Sequence, residues 1–316
     1  MNSNTLINAQ RYGKVAVMFG GSSAEREVSL RSGQAVLDAL LRGGVNAYKF
    51  DPAEHALIEL VSQNFDQVVI MLHGRGGEDG SLQGALEQLK LPYSGSGVLG
   101  SALSMDKVRS KQIFDSLGLP TASYQVVEKS RFDAGSCEVI MRSFGGAIMV
   151  KPAQEGSSIG MAKVNNSTQL LSAIEDAFNY DNQVLLEQYI EGDEYTVSIL
   201  NDGALPSIRM STPREFYDYE AKYQSDSTEY FCPSGASSEL EKNLADLALQ
   251  AFDAVAASGW GRVDFMCDKQ GQLYILEVNT VPGMTAKSLV PMAAKQAGMS
   301  FEQLALAVLD SAGLGK

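Results

Sequence analysis

The most regular alternation of apolar and polar positions in this 316-residue chain runs from Gly261 to Asn279. Two alternating runs flank Gln270 and Gly271, a pair that suits a two-residue hairpin turn. That turn sets a register in which Asp264 faces Glu277 and Arg262 faces Asn279. Side chains alternate between the faces of a strand, so these four share one face. Val263, Phe265, Cys267, Tyr274, Leu276 and Val278 then form the buried face. Two carboxylates and an amide converging from paired strands make an all-oxygen donor set, the kind hard cations such as Mg²⁺ take. The alternative is a half-solvated hairpin with ordinary surface charges. Like charges directly opposed destabilise a sheet, which favours the cation.

Upstream, the pattern predicts strands at Val15–Phe19, Asn46–Phe50 and Val68–Leu72. Helices are expected from about Glu25 to Gly43 and around Ala56 to Gln63. Strands alternating with helices imply a parallel sheet covered on both faces, with ligands at the carboxyl ends of its strands. Gly20-Gly-Ser-Ser-Ala-Glu25 and His73-Gly-Arg-Gly-Gly-Glu-Asp-Gly80 emerge at such ends. A helix near Ser104 to Leu117 opens a second style. It continues with strands at Ala147–Pro152, from Met161, and at Val184–Ile190, and with a helix capped by Ser167. Tyr195–Leu200 and Ser207–Met210 read as antiparallel strands. Pro213–Gly235 is a long polar and aromatic stretch without a period, the profile of a lid or binding loop. An amphipathic helix at Glu239–Ala257, the hairpin, and helices near Leu289 and Phe301 complete the chain.

Composition narrows the function classes. A formal charge of −13 argues against nucleic acid, whose phosphates would be repelled. No apolar run approaches the roughly 20 residues of a membrane helix. The first ten residues lack the basic and apolar regions of a signal peptide, so a cytoplasmic protein is expected. Cys137, Cys232 and Cys267 are widely spaced, without a Cys-x-x-Cys pattern, and read as reduced, mostly buried groups. With only His55 and His73, a histidine-rich zinc site is excluded.

The remaining motifs differ in weight. Gly156-Ser157-Ser158-x-Gly160, preceded by Lys151, can present backbone N–H groups and a point charge to phosphate, or can be a plain turn. Gly95-Ser-Gly-Val-Leu-Gly100 formally matches a dinucleotide fingerprint but lacks a proper preceding strand, and is read as a turn. Ser157 lacks the nucleophile-elbow context of a serine hydrolase. Glu25, where a glycine turn meets a helix, could take a small ligand's ammonium. His73 ends a strand and could touch a ligand, whereas His55 reads as surface.

Taken in order, the motifs resemble the ATP-grasp superfamily and, within it, the D-alanine–D-alanine ligase family. The resemblance runs from about Lys14 to the C-terminus. It is carried by Gly20-Gly-x-Ser-Ala-Glu-Arg-Glu-Val-Ser29, His73–Gly80, Leu103-Ser-Met-Asp-Lys107 and Val150-Lys-Pro-x-x-Glu-Gly-Ser-Ser158. Phe216-Tyr-Asp-Tyr-Glu-Ala-Lys-Tyr223, Gly259-Trp-Gly-Arg-Val-Asp264, Glu277-Val-Asn-Thr-x-Pro-Gly-Met-Thr285 and Ser288-Leu-Val-Pro291 complete it. Val281 departs from the serine of many members, and Lys287 is a variable position.

The resemblance implies an α/β (α+β ATP-grasp) fold. A Rossmann-like parallel-sheet domain over 1–104 would precede two α+β subdomains, over 105–190 and 191–316. It implies ligation of two D-alanines through an acyl phosphate at the expense of ATP, for peptidoglycan precursor synthesis. Asp264, Glu277 and Asn279 would hold two Mg²⁺ ions, with Mn²⁺ as a substitute. Lys107, Lys151 and Lys222 would neutralise phosphates, with the backbone of Gly156 to Ser158 closing over them. Glu187, Gln188, Tyr189, Ile190 and Glu194 would form the adenine and ribose edge, with Phe216 also on the ATP site. Glu25, Ser157 and Tyr223 would receive the first D-alanine, near His73. Arg262 and the Gly283 backbone would form an oxyanion site, and Ser288 and Leu289 would receive the second carboxylate. The family commonly forms homodimers through its N-terminal domain. Competing readings are an ATP-grasp carboxylate–amine ligase with another acid or acceptor, a catalytically silent nucleotide binder, and an oxidoreductase using Gly95–Gly100.

Overall fold

The computed structural model describes residues 9–211 and 228–316. Three sheets organise them. The first is parallel, in the order β2-β1-β3, with β1 at Lys14–Met18, β2 at Asn46–Phe50 and β3 at Gln67–Ile70. Helix α1 (Arg26–Arg42) follows the first glycine turn, and α2 (Ile58–Ser62) lies between β2 and β3. Both glycine-rich segments therefore leave the carboxyl ends of β1 and β3. The core of this sheet is Val15–Met18 and Val68–Met71, closed by α10 (Phe301–Asp310) from the far end of the chain. A capping box, Ser300 with Gln303, starts α10, and its Leu304, Val308 and Leu309 are fully buried.

Helices α3 (Ser81–Leu89), α4 (Val98–Met105) and α5 (Lys107–Ser116) lead to the second sheet. The Gly95–Gly100 segment, expected as a turn, runs into the first turn of α4. Asp106 caps α5 by accepting from Arg109 N. The second sheet has the order β4-β7-β5-β6, with β4 at Tyr124–Glu128, β5 at Ile148–Pro152, β6 at Ala162–Val164 and β7 at Gln183–Gln188. Its pairings are antiparallel, and α6 (Cys137–Phe144) and α7 (Ser167–Ala177) share its core. Asn166, not Ser167, caps α7, because its side chain accepts from Gln169 N.

The third sheet runs β11-β10-β8-β12-β13, with β9 (Gly203–Ala204) beside β8 (Gly192–Leu200). Strands β10 (Ile208–Ser211) and β11 (Glu229–Phe231) are antiparallel. Part of the stretch read as a periodless loop is therefore sheet. Helix α8 (Ser238–Ala254), capped by Ser237, buries Leu244, Ala248, Ala251 and Phe252 against this sheet. Strands β12 (Trp260–Asp268) and β13 (Leu273–Asn279) form the hairpin, and α9 (Leu289–Gln296) follows it.

The hairpin departs from the expected geometry twice. Its loop is three residues, closed by Asp268 N donating to Gln272 O at 3.0 Å, with Gly271 left-handed at φ +85°. A bulge between Asp264 and Phe265 then shifts the pairing by one residue. The two one-residue changes cancel at the far end, so Asp264 faces Glu277 and Arg262 faces Asn279 as expected. On the loop side they do not cancel. A one-residue slip turns every side chain to the opposite face. Leu273 and Ile275 are buried there, and Tyr274 and Leu276, expected in the core, are not.

Candidate active site

The glycine turn after β1 and the start of α1 present Glu25. Its side chain does not cap the helix. It is buried and accepts from Ser157 Oγ at 2.5 Å, which joins the first sheet to the glycine-rich tip between β5 and β6. A side chain at position 156 would collide with this carboxylate, since a Cβ there would stand 2.4 Å from Glu25 Oε1. Ser157 and Ser158 are both left-handed, at φ +50° and +60°. Such conformations cost side-chain-bearing residues energy and concentrate at ligand sites. Arg75 fastens the same tip from the second glycine segment, donating to Glu155 Oε1 at 2.8 Å and to Tyr180 O at 3.2 Å.

His73 is buried below Glu25, its Nε2 3.4 Å from Ser32 Oγ. Burial pushes the imidazole pKa down, opposed mainly by the Glu25 charge. Glu78 accepts from Gly74 N at 2.6 Å. Burial, reinforced by the charge of Glu25, pushes its carboxyl from 4.5 up to about 8.

On the hairpin, Asp264 is gripped from three sides. Arg262 donates to both its oxygens at 2.8 and 2.7 Å, Thr196 Oγ1 on β8 donates at 2.6 Å, and Asn279 Nδ2 donates at 2.9 Å. Glu277 lies 3.6 Å from Lys107 Nζ, whose ammonium also donates to Glu155 O at 2.6 Å. The donor chemistry here suits a hard cation: carboxylate and amide oxygens on adjacent strands, with Thr196 orienting one of them. Among the described residues no group of three His, Cys, Asp or Glu side chains is placed to hold a metal ion. The oxygens facing one another here are those of two carboxylates, Asp264 and Glu277, with the Asn279 amide beside them.

Two cavities open on these groups. The first, about 400 Å³, is lined by Glu25, His73, Glu78, Arg262, Asn279, Gly283, Ser288 and Leu289, among others. Ser288 stands at the N-terminus of α9, where its Oγ accepts from Thr285 N at 2.9 Å. The second, about 320 Å³, is lined by Lys151, Ser158, Glu187, Gln188, Tyr189, Ile190 and Glu194. Its apolar lining includes Met149, Met161, Met210, Met266 and Leu276. Lys107, Gly156, Ser157 and Glu277 belong to both cavities and form the passage between them. Glu187 is not simply a cavity edge, because Lys151 and Lys111 each lie 2.5 Å from one of its oxygens.

Nearly every site residue read from the sequence that is described thus lines one cavity or both, and only Asp264 lines neither, held behind Arg262. Tyr223, Lys222 and Phe216 lie outside the described residues. Sequence reasoning missed Glu78, Arg75, Thr196, Lys111 and the methionine lining. Glu78 and Arg75 stood inside a quoted motif. The methionines come from four separate segments and give no local signal.

Comparison with known proteins gives a consistent result. Residues 113–310 match the family model "D-ala D-ala ligase C-terminus", and 49–96 match "D-ala D-ala ligase N-terminus". A D-alanine–D-alanine ligase of Pseudoalteromonas atlantica is 71% identical over 307 residues, covering 97% of this chain and 96% of the relative. One from Idiomarina loihiensis is 55% identical over 303 residues, covering 96% and 98%. Among solved structures, the D-alanine–D-alanine ligase of Bacillus anthracis complexed with ATP superposes with a TM-score of 0.83 at 32% identity, over 94% of this chain and 96% of that one. The VanG D-Ala:D-Ser ligase of Enterococcus faecalis gives 0.80 at 28%, over 94% and 98%.

Proposed function

The chain belongs to the D-alanine–D-alanine ligase family, and from that premise we propose how its site joins two D-alanines into D-alanyl-D-alanine, with ATP converted to ADP and phosphate. The product serves peptidoglycan precursor synthesis. The observation that carries the reading is the junction of the two cavities at Lys107, Gly156, Ser157 and Glu277. A nucleotide in one cavity and an amino acid in the other would bring phosphate and carboxylate together at that passage.

In this reading the methionine-lined slot and the strand from Glu187 to Ile190 take adenine, and Glu194 takes ribose hydroxyls. Lys107, Lys151 and Lys222 balance phosphate charge, and the backbone of Gly156 to Ser158 supplies N–H donors. Phe216 completes the ATP site. Asp264, Glu277 and Asn279 would hold two Mg²⁺ ions, or Mn²⁺ in their place, and bound there the ions offset charge gathering on the transferring phosphoryl group. Glu25, with Ser157 and Tyr223, holds the ammonium of the first D-alanine and aims its carboxylate at the γ-phosphorus. A carboxylate oxygen attacks, the bond to ADP breaks, and an acyl phosphate results. The second D-alanine, its carboxylate at Ser288, Leu289 and the start of α9, attacks the acyl carbon once its ammonium has lost a proton. Arg262 and the Gly283 N–H stabilise the oxyanion, and phosphate leaves with the electron pair of the C–O bond. His73, kept neutral by burial, borders the first substrate without competing for its charge. The segment from Pro213 to Gly235 is the lid that keeps water from the acyl phosphate.

We extend the proposal to three units over 1–104, 105–190 and 191–316, to a homodimer formed by the N-terminal unit, and to a cytoplasmic location. Among the described residues no helix is long and apolar enough to cross a membrane. The deciding measurement is phosphate release from ATP and Mg²⁺ with D-alanine, with L-alanine and with neither. Release that needs D-alanine and yields the dipeptide supports the assignment. ATP binding without D-alanine-dependent release would overturn the substrate.

A further inference from the structure

Two lysines are packed around one carboxylate in the wall of the second cavity. Lys111 is 1% exposed, Glu187 2% and Lys151 8%. Lys151 Nζ stands 2.5 Å from Glu187 Oε2, and Lys111 Nζ stands 2.5 Å from Glu187 Oε1. Each oxygen therefore has its own ammonium. Lys151 and Glu187 line the cavity, whereas Lys111 lies behind them. Lys111 also donates to Thr121 Oγ1 at 2.6 Å, and Thr121 donates to Ile275 O at 3.0 Å. Ile275 N in turn donates to Pro120 O at 2.8 Å.

A buried ammonium is costly, and a single Lys151–Glu187 pair would already be neutral. The second lysine leaves the cluster with a net positive charge. Without it, Glu187 could engage Lys151 with both oxygens and draw the ammonium off the cavity. With Lys111 on Oε1, Lys151 is held by Oε2 alone. The surplus charge then falls on the one cation of the cluster that borders the cavity. Burial alone would raise the Glu187 carboxyl, but the two ammoniums outweigh it and hold it at about 2, so the carboxylate stays ionised. Burial pushes the Lys111 ammonium down, opposed by the Glu187 charge. The contacts through Thr121 tie it to β13, next to Leu276 and Glu277.

We infer that Lys111 is a positioning residue for the nucleotide, acting through Glu187 to fix the Lys151 ammonium and keep its charge available to phosphate oxygens. The inference rests on the reading of this cavity as the ATP site. A lysine that merely filled space would affect adenosine and ADP alike. Lys111 as a positioning residue affects only the ligand with phosphates.

The test is calorimetric titration of the full chain, with Mg²⁺, by ADP and by adenosine. In Lys111→Met, ADP affinity should fall about tenfold or more, the worth of a charge-assisted hydrogen bond, with adenosine affinity changed less than about twofold. No change in ADP affinity, or equal losses for both ligands, would overturn the inference. Thr121→Val is the milder variant for the case in which Lys111→Met does not fold. It should give a smaller loss confined to ADP, and a loss shared with adenosine would again overturn the inference. A wild-type chain that binds ADP no better than adenosine would instead sink the ATP-site reading, and this inference with it.

Discussion

The cavity proposed for the amino-acid substrates and the one proposed for the nucleotide share one wall and differ in what lines them beyond it. The first adds Glu25, His73, Glu78 and Arg262, with Glu25 accepting from Ser157 of the shared wall. The second sets Lys151, Glu187, Asp193 and Glu194 beside four methionines and Leu276. Polar groups that have left water must hold one another in place, so the first cavity is ordered before a ligand arrives. Unbranched thioethers adapt to what they meet, so the second can fit a flat apolar ring without a unique contact set. Under the proposed function, the first cavity would orient the reacting carboxylate and the second would supply plain affinity, with the shared wall joining them.

The strongest way to break this division is at the shared wall itself. Glu277→Gln keeps the shape but removes a charge that both cavities use. D-alanine-dependent phosphate release should fall about 10²-fold or more, whereas ADP affinity should change by less than about tenfold. Near-normal turnover would mean that the hairpin oxygens do not serve phosphoryl transfer. Away from the wall, the two cavities should respond separately. Glu25→Gln weakens a charge-assisted contact and should raise the KM for D-alanine about tenfold or more with ADP affinity unchanged. Leu276→Ala should do the reverse, with a loss of roughly 1–2 kcal/mol in ADP affinity and a KM for D-alanine close to wild type. Either variant moving both constants would show that the cavities are not independent.

The two sides of the molecule were also unequally legible in the sequence. Glu25, His73, Lys107, Lys151, Glu277 and Asn279 stand in short local motifs, and the structure sets them around two adjoining cavities, with Asp264 behind Arg262. The opposition of Asp264 and Glu277 was read correctly although its premise was not, because the longer loop and the bulge offset each other. The same bulge moves Leu276 out of the core and into the nucleotide cavity, which alternation alone cannot foretell. The methionine lining draws on β5, β10, β12 and the segment before β6, so only the folded sheets assemble it. Lys111 gives no local signal, because its partner Glu187 is 76 positions away. The parallel order of the first sheet followed from its alternating elements, whereas its closure by α10 is a contact over most of the chain's length.

Two carboxyls with opposite shifts, one in each cavity, sharpen the contrast through pH. Glu187 sits between ammoniums and is held at about 2, so its contribution to stability is present above its ordinary 4.5 and is lost only as pH falls through about 2. Glu78 is shifted the other way, from 4.5 to about 8, by burial and by the charge of Glu25. Between those two values the folded chain keeps a proton that the unfolded chain has released. Folding therefore loses stability as pH rises across that window, and the full cost is present above about 8. Glu78→Gln preserves an oxygen to accept from Gly74 N but cannot ionise. The melting temperature of the ligand-free variant should consequently decline less than that of the wild type between about pH 5.5 and about pH 8.5. A cation bound beside Glu25 should flatten the wild-type curve as well, since it stabilises the ionised carboxyl. Parallel curves for the two proteins would mean that Glu78 is ionised in the folded chain, its charge held beside that of Glu25.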